Sequence, residues 1–532
     1  MKQFAKIVLA VMLASMTALP VVSCGNNVAT ESNSSSSSSA SSDITQESGS
    51  EVQSTDSDKS TDGTAEYNED PCEITMLLVS DGNSVDKDAE VEDAVNAILS
   101  EKLNTTVSFT MVSSADHTQK VNLMLASGDP LDLFQPYASW NNFMANSYMM
   151  DITDYADYYP DIIELCGDYL ASGQYNGRQY GLPSVKDWAS DSCYVFRTDI
   201  LEACDIDASS IMTPDDIHDM LVKIKSNYPD LVPMMGGSVG APIKWNGDLD
   251  KNCSYDPLGD GYGVLMNPAE STTVENFYET ESFARQVQYA WEWAQEGLID
   301  RDNLTLPHDL VRAGRTAGVL TAYSPKSVAE TTTSTGYDMT AIRIFPKGNA
   351  LLTTNNSWSW CVNSICENPE RALQMLNYMF TDKEINNLLA WGIEGEDYQV
   401  ISDEGSGVID YVEGQDSGTV EYYQWAKFSF PNNFLQYVMN GTNPHQWEEM
   451  EAWNESADAS LALGFSYDNT AVSTQVAAVS NVVNEYYDAL LTGQLDPETE
   501  LPNFIAALKS AGIDEIVAEK QSQLDIWLEA KG

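Results

Sequence analysis

Residues 176–201 read NGRQYGLPSVKDWASDSCYVFRTDIL, and the fold is decided along them. Asn176-Gly177 is a turn pair, favoured where the backbone needs positive φ. Tyr180-Gly181-Leu182-Pro183 is a short extended piece, because Pro183 removes a donor and pushes Leu182 towards β or polyproline geometry. Lys186-Asp187-Trp188 follows, a polar segment with one large aromatic ring. Residues 193–196 are then an apolar, strand-like run that leads into a short helix signal at 197–201. This is a chain leaving one packed body through a turn and entering another. It carries a charged and aromatic cluster at the crossing.

Upstream, residues 74–79 form an unbroken apolar run of strand length, the pattern of a buried parallel strand. A polar turn follows at Ser80-Asp81-Gly82-Asn83. Val91, Ala94, Val95, Ile98 and Leu99 then mark one helical face within 85–103. A second strand over 105–112 and a second helix over 117–126 come next. Ser127-Gly128-Asp129-Pro130 stops that helix before a third strand at 131–134. The β-α-β-α-β order predicts a parallel α/β sheet with ligands near the carboxyl ends of its strands.

Downstream, Thr213 and Pro214 open a helix running to about residue 225. A long helix over 279–298 carries Trp291 and Trp293, which lie two apart and cannot share a face, so at least one is assigned to packing and neither is taken as a ligand contact. Residues 317–322 and 339–345 are expected strands of a second lobe, and Pro346-Lys347-Gly348-Asn349 a second hinge turn. Residues 353–362 return as an extended segment, 369–389 as a helix, and 472–531 as strongly helical chain punctuated by Gly493 and Gly512. At 532 residues the chain exceeds one core. The expected division is lobe one over 72–190 with 350–400, and lobe two over 191–349 with 401–532.

The chain holds 81 acidic against 26 basic residues, a net charge of −55, which excludes a phosphate-binding surface for nucleic acid. Such acidity fits a well-solvated, self-repelling exterior. Residues 1–23 have Lys2 and Lys6 ahead of an apolar run, and Val21-Val22-Ser23-Cys24 looks like a bacterial lipobox. Cleavage there would leave a protein held to the membrane only by lipid on Cys24. Residues 24–71 are then a Ser-rich, acidic tether with too few apolar side chains to order it. The seven other cysteines are an odd number, and only Cys361 and Cys366 are close in sequence.

Catalytic signatures are thin. The histidines His117, His218, His308 and His445 have no nearby partner in a recognised arrangement, and no nucleophile elbow, zinc helix or phosphate loop occurs. Asp248, Asp250 and Asn252 fit the start of a calcium loop, but Cys253 and Gly259 stand where Gly and Glu are needed. No metal or cofactor is expected. Twelve tryptophans and 26 tyrosines suit a different task, stacking on the C–H faces of sugars. Tyr137, Trp140, Trp188, Tyr323, Trp358, Trp360 and Trp391 are placed in loops next to strands or at a helix end, where a ring serves recognition more readily than core.

The ordered motifs resemble the family 1 extracellular solute-binding proteins, the receptor subunits of bacterial ABC importers. Gly177 to Pro183 matches "G-x-x-Y-G-[LIV]-P", Ala126 to Phe134 resembles the "ASGD-x-PD" turn, and Asp151-Ile152-Thr153-Asp154-Tyr155 resembles the "L-x-D-[LY]" element. The segment Trp391 to Tyr398 and the LLTGQL at 490–495 are similar to a large-receptor subgroup associated with oligosaccharide or aldouronate uptake. The resemblance implies a periplasmic-binding-protein-like fold: two α/β lobes, a ligand cleft with a hinge, and a helical C-terminal part. It further implies a monomeric, lipid-anchored receptor on the extracellular face, with a carbohydrate ligand and permease subunits as partners.

At matching positions the resemblance adds Ser80 and Asp81 after the first strand, and Lys186 and Asp187 at the first crossing. Asp187 beside Trp188 and Glu394 beside Trp391 are the carboxylates to test for glycosidase chemistry. A ligand carboxylate would call on Lys186, Arg178 or Arg343, although the negative field favours neutral sugars. A surface glycoside hydrolase, a carbohydrate-binding adhesin and a peptide receptor remain alternatives.

Overall fold

The structure is a computed structural model that describes residues 70–80, 85–236, 241–248, 253–300, 307–343, 350–352 and 355–531. Cys24, Asp81, the turn at 346–349 and most of the expected tether lie outside the described residues.

The first lobe is built on a five-stranded sheet. Cys72–Val79 pairs in parallel with Thr105–Val112 on one side and with Leu133–Phe134 on the other. Ser359–Val362 enters antiparallel beside Leu133–Phe134, and Leu182–Pro183 pairs antiparallel with it at the far edge. Alternation along the first strand separates the two faces. Ile74, Met76 and Leu78 bury against Val91, Val95 and Leu99 of the helix Val85–Leu103. Leu77 instead faces Val121 and Met124 of the helix His117–Ser127. Gly181 permits the last pairing, since a Cβ there would stand 2.7 Å from the Ser359 Cβ. One geometric consequence matters most. Ser359–Val362 runs against the others, so its N-terminal end shares an edge with the carboxyl ends of the parallel strands.

The second lobe holds a four-stranded sheet in the order Met339–Arg343, Ser192–Arg197, Thr316–Ala322, Val232–Met235. Ser192–Arg197 is antiparallel to both neighbours, and Val232–Met235 is parallel to Thr316–Ala322. Tyr194 and Phe196 pack with Trp245 and Trp293 on one face, while Cys193, Val195 and Val319 cluster on the other. Trp293 is therefore core, the one of the pair Trp291 and Trp293 that turns inward. The helix Pro214–Asn227 opens with the expected Thr213 cap, whose hydroxyl accepts from the Asp216 N–H at 3.2 Å. The C-terminal region is three helices, Ser473–Leu491, Pro497–Ala511 and Ile513–Lys531, the last two divided at Gly512 (φ +98). The expected single helix over 369–389 is two, Pro369–Thr381 and Lys383–Trp391, because Asp382 caps the second through the Ile385 N–H at 2.8 Å. Among the described residues no helix is long and apolar enough to cross a membrane, and Cys361 and Cys366 are both free and buried.

Three short strands lie side by side where the chain passes between the lobes. Ala189–Ser190 pairs antiparallel with Ala350–Leu351, which pairs in parallel with Asp458–Ala459. The third strand falls well past the expected boundary at residue 400, and contacts on either side explain why. Residues 401–457 pack mainly on the first lobe, touching the second through Tyr323 against Trp453. Phe430 and Tyr422 enter its core, the Val185 N–H donates to Pro431 O at 2.9 Å, and Asn432 donates to Phe380 O at 2.9 Å. Residues beyond 460 bury Phe465, Val479, Leu490, Phe504 and Leu524 against Phe277, Phe283 and Val287 of the second lobe.

Candidate functional site

Both sheets turn one edge towards the three crossing strands. On the first lobe, side chains just after the parallel strands tie down the loops above them. The Ser80 hydroxyl accepts from Gln424 Nε2 at 2.8 Å. Gln135 Nε2 donates to the carbonyls of Ser429 (2.8 Å) and Trp358 (3.2 Å), and the Ser184 hydroxyl donates to the same two (2.9 and 3.1 Å). Gln135 and Ser184 are buried, so these bonds are shielded from water and fix the loops firmly.

What they hold in place is a ladder of rings. Tyr137 meets Trp358 edge-on at 4.9 Å, Trp358 meets Phe428 at 5.0 Å, and Phe428 meets Trp425 at 5.5 Å. His117 packs behind Tyr137 at 5.4 Å. Tyr137 has φ +51, a conformation uncommon outside glycine and concentrated at ligand-holding positions. Trp425 is 52 % exposed at the open end of the row.

Charged groups flank the ladder. Lys186 Nζ lies 3.0 Å from Asp187 Oδ1 and 5.6 Å from the Phe428 ring. From the second lobe, Lys326 reaches Asp187 Oδ2 at 3.5 Å, an ion pair across the cleft. Burial alone would raise the Asp187 carboxyl, but the two ammoniums outweigh it and hold it below the usual carboxylate range. Lys427 sits 4.3 Å above the Trp391 ring and donates to Gln424 O at 3.1 Å. Burial lowers its ammonium to about 8.

Of the residues singled out from sequence, Ser80, Tyr137, Lys186, Asp187 and Trp358 come together at this edge. Trp188 is beside them but is used structurally: it stacks on Tyr169 at 4.4 Å and its indole N–H donates to Ser184 O at 2.8 Å. Tyr323 stands at the second-lobe edge under Arg343, 4.7 Å from its guanidinium, and meets Trp453 of the first lobe edge-on at 6.1 Å. Trp391 has one face covered by Lys427 and spends its indole N–H on Tyr437 O at 3.2 Å. Trp140 and Trp360, expected in loops, are 4 % and 0 % exposed and fill the first-lobe core, so neither offers a face to a ligand. Glu394 is exposed and pairs its backbone with Tyr398, away from the ladder. Arg178 is bonded to Asp151 and Asp154, and Arg343 to Asp191 at 2.7 Å, so neither is a spare cation.

Sequence reasoning missed Gln135, Ser184, Lys326, Gln424, Trp425, Lys427, Phe428 and Asn454. The signal for half of them was in view: EYYQWAKFSFPNN at 421–433 is dense in rings and ends in a turn. Asn454 could not have been found that way. Buried at the crossing, its Oδ1 accepts from the Trp188 and Ala189 N–H groups (2.9 and 3.2 Å) and its Nδ2 donates to Lys186 O at 2.7 Å. Asn454→Ala is expected to lower stability by about 2 kcal/mol, since it orphans two buried donors and an acceptor. Urea unfolding would show it, and a loss below half that value would mean the crossing holds itself.

A second concavity, of about 750 Å³, lies between Tyr175 and Asn176 of the first lobe and Phe465, Asp468, Gln523 and Trp527 of the second. Its Gln523 amide is already spent, with the Asp468 N–H donating to Gln523 Oε1 at 3.0 Å and Gln523 Nε2 to Asp468 O at 2.8 Å.

Two α/β lobes joined by three strands, with a ring-lined and charged edge facing the junction, make a receptor that closes on a solute. The chain belongs to the bacterial extracellular solute-binding protein family, whose model matches residues 93–393, and a domain of unknown function matches 461–529. A carbohydrate ABC transporter substrate-binding protein of Streptococcus pneumoniae is 24 % identical over 462 residues, covering 85 % of this chain and 90 % of that one. Among solved structures, the N-glycan transport solute binding protein NgtS of S. pneumoniae superposes with a TM-score of 0.74 at 20 % identity, over 87 % of this chain and 100 % of that one. The S. pneumoniae substrate-binding protein FusA, solved with kestose, gives 0.57 at 14 % identity over 86 % and 100 %.

Proposed function

We propose that the protein is the substrate-binding receptor of an ABC importer, capturing an oligosaccharide at the cell surface and delivering it to permease subunits. The observation that carries this is the row Tyr137, Trp358, Phe428, Trp425 along the cleft edge of the first lobe. The rings stand about 5 Å apart and nearly perpendicular to their neighbours, a rigid apolar wall whose exposed parts suit pyranose C–H groups. Support comes also from the relative named as a carbohydrate ABC transporter protein and from NgtS, solved with Man1GlcNAc and with Man5GlcNAc. The lobes are taken as 72–189 with 351–457 and 191–350 with 460–531, moving about the three crossing strands. The receptor acts as a monomer tethered through lipid on Cys24.

The test is a thermal-shift screen of the folded chain against manno-, fructo-, galacto- and xylo-oligosaccharides and against peptides. A ligand at about 100 times its Kd stabilises a receptor by about 2.7 kcal/mol, which is readily seen. Recovery of the intact sugar supports the receptor, recovery of cleaved sugar supports a hydrolase, and response to peptides alone overturns the carbohydrate reading. For the sugar that responds, Trp358→Ala is expected to weaken binding about tenfold, close to 1.4 kcal/mol. Trp425→Ala at the open end should cost less, and only for longer chains.

A further inference from the structure

We propose that the turn 323–326 of the second lobe is a clasp, which closes on Asp187 and Trp453 of the first lobe and holds the empty receptor partly shut. This goes beyond the receptor reading and does not depend on which sugar binds. One short turn delivers both contacts. Tyr323 follows directly on the strand Thr316–Ala322 and meets the Trp453 ring edge-on at 6.1 Å, and Lys326, three residues on, reaches Asp187 Oδ2 at 3.5 Å. The turn is built to keep that shape. The Tyr323 N–H donates to Asp191 O at 3.0 Å, the Ser324 N–H to Ser327 Oγ at 2.8 Å, and Ser327 Oγ in turn to Ala322 O at 3.1 Å. Ser324 and Ser327 are buried, so water competes little for these bonds. The receiving side is equally fixed. Asn454 follows Trp453 on the helix Gln446–Glu455 and bonds the backbone on both sides of Asp187, donating to Lys186 O and accepting from the Trp188 N–H. Ring and carboxylate therefore move as one piece.

The pairing is suited to being broken and remade. When the lobes part, Asp187 keeps Lys186 at 3.0 Å on its own lobe, and Lys326 keeps Glu330 at 3.6 Å on the other. Neither charge is stranded, so the contact across the cleft is lost at small cost, unlike a buried pair whose members have no second partner. A partly buried ion pair of this kind is weak by itself, but here both backbones are already held in place, which removes much of the ordering cost. The Tyr323 ring adds apolar contact, packing against a cluster that contains Trp453, Trp447, Val408 and Ala189 of the first lobe. Turn and receiver sit on lobes joined through the three crossing strands, so any change in the angle between the lobes changes their separation. A ligand on the ring row then meets a receptor already biased towards the shut form, and less of its binding energy goes into moving the lobes.

Small-angle scattering of the ligand-free chain tests this without any sugar. At about 0.01 M salt, where the screening length is ~30 Å, the wild type is expected to be more compact than Lys326→Glu, in which the contact turns repulsive. Lys326→Met and Tyr323→Ala should each expand the molecule by a smaller amount, and Lys326→Arg should keep the wild-type radius of gyration. Pairing Lys326→Glu with Asp187→Lys should bring the compact form back. Raising salt to about 1 M, where the screening length is ~3 Å, should expand the wild type but leave Lys326→Met as it was. Unfolding temperatures near that of the wild type check that the variants fold, since the bonds that shape the turn are untouched. For whichever neutral oligosaccharide binds, Lys326→Met is expected to weaken affinity about threefold and Lys326→Glu more, by lowering the fraction of receptor that is shut. Scattering that does not differ between the wild type, Lys326→Met and Lys326→Glu at low salt overturns the clasp and leaves the oligosaccharide receptor standing. A Lys326→Glu protein that has opened yet binds the sugar as tightly as the wild type overturns the link between clasp and capture. Failure of every sugar would overturn the receptor reading, while the scattering still decides the clasp.

Discussion

Lys520→Ala is expected to destabilise the second lobe by about 3–5 kcal/mol, the cost of removing one member of a buried ion pair. Lys520 lies on the helix Ile513–Lys531, its side chain 0 % exposed. Its Nζ donates to Asp260 Oδ1 at 2.6 Å and to Gly263 O at 3.0 Å, and stands 4.7 Å from the Tyr467 ring. Burial pulls the ammonium below the usual lysine range, and Asp260 only partly restores it. The pair therefore adds little net energy over an apolar substitute, yet its half-removal strands the Asp260 carboxylate and opens a void. Lys520→Met keeps the volume and should cost less than alanine. Combining Lys520→Met with Asp260→Asn should recover most of the loss, because no lone charge is then buried. Urea unfolding of the four proteins tests this. A Lys520→Ala protein within about 1 kcal/mol of wild type would mean that Asp260 swings out to water unaided.

How much of this fold could be read in advance varied with the range of the interaction. The β-α-β-α-β start was legible because each element's apolar period is local: Ile74, Met76 and Leu78 alternate, and Val91, Val95 and Leu99 keep helical spacing. The first crossing was legible because Pro183 and the turn at Asn176-Gly177 punctuate it. The third crossing was not. Asp458–Ala459 is a two-residue strand with no apolar pattern of its own, specified only by its partner Ala350–Leu351. Segment 401–457 has strands of its own and looks like part of the body that follows it. Its allegiance is set by distant groups, Val185, Phe380 and Asn386, each giving or taking a hydrogen bond with residues 431–433.

The candidate site divides the same way. Tyr137 and Trp358 were singled out because a ring in a post-strand loop has little local use, and they meet at the cleft edge. The same argument wrongly drew in Trp360, which sits one step further into Ser359–Val362, a strand buried along its whole length. Trp140 failed for a related reason, since residues 140–145 form a helix whose buried side takes the indole. Lys326 carried no such signal, standing 101 positions before Lys427 and on the opposite lobe.

His117 should make the protein sensitive to mild acid, with stability falling by about 3 kcal/mol between pH 6.5 and about 4. The imidazole is 1 % exposed, neither ring nitrogen has a hydrogen-bond partner among the described residues, and burial lowers its pKa from 6.5 to about 4. Because the folded state holds the proton less tightly than the unfolded chain, the unfolded state binds more protons throughout that window. Stability is then complete above pH 6.5 and is lost as pH falls towards 4. Many carboxylates titrate over the lower part of the range, so the comparison that isolates His117 is with His117→Phe, which keeps a ring against Tyr137. The difference in unfolding free energy between the two proteins should grow steadily from pH 7 to 4.5, with the variant favoured at the acid end. The same window should affect function. His117 backs Tyr137 at 5.4 Å, and Tyr137 in turn supports Trp358. An imidazolium must find water or an acceptor, and moving it disturbs the first ring of the row. Ligand affinity in the wild type is therefore expected to weaken across that range more than in His117→Phe. Parallel acid profiles for the two proteins would place the sensitivity elsewhere and free Tyr137 of any dependence on the ring behind it.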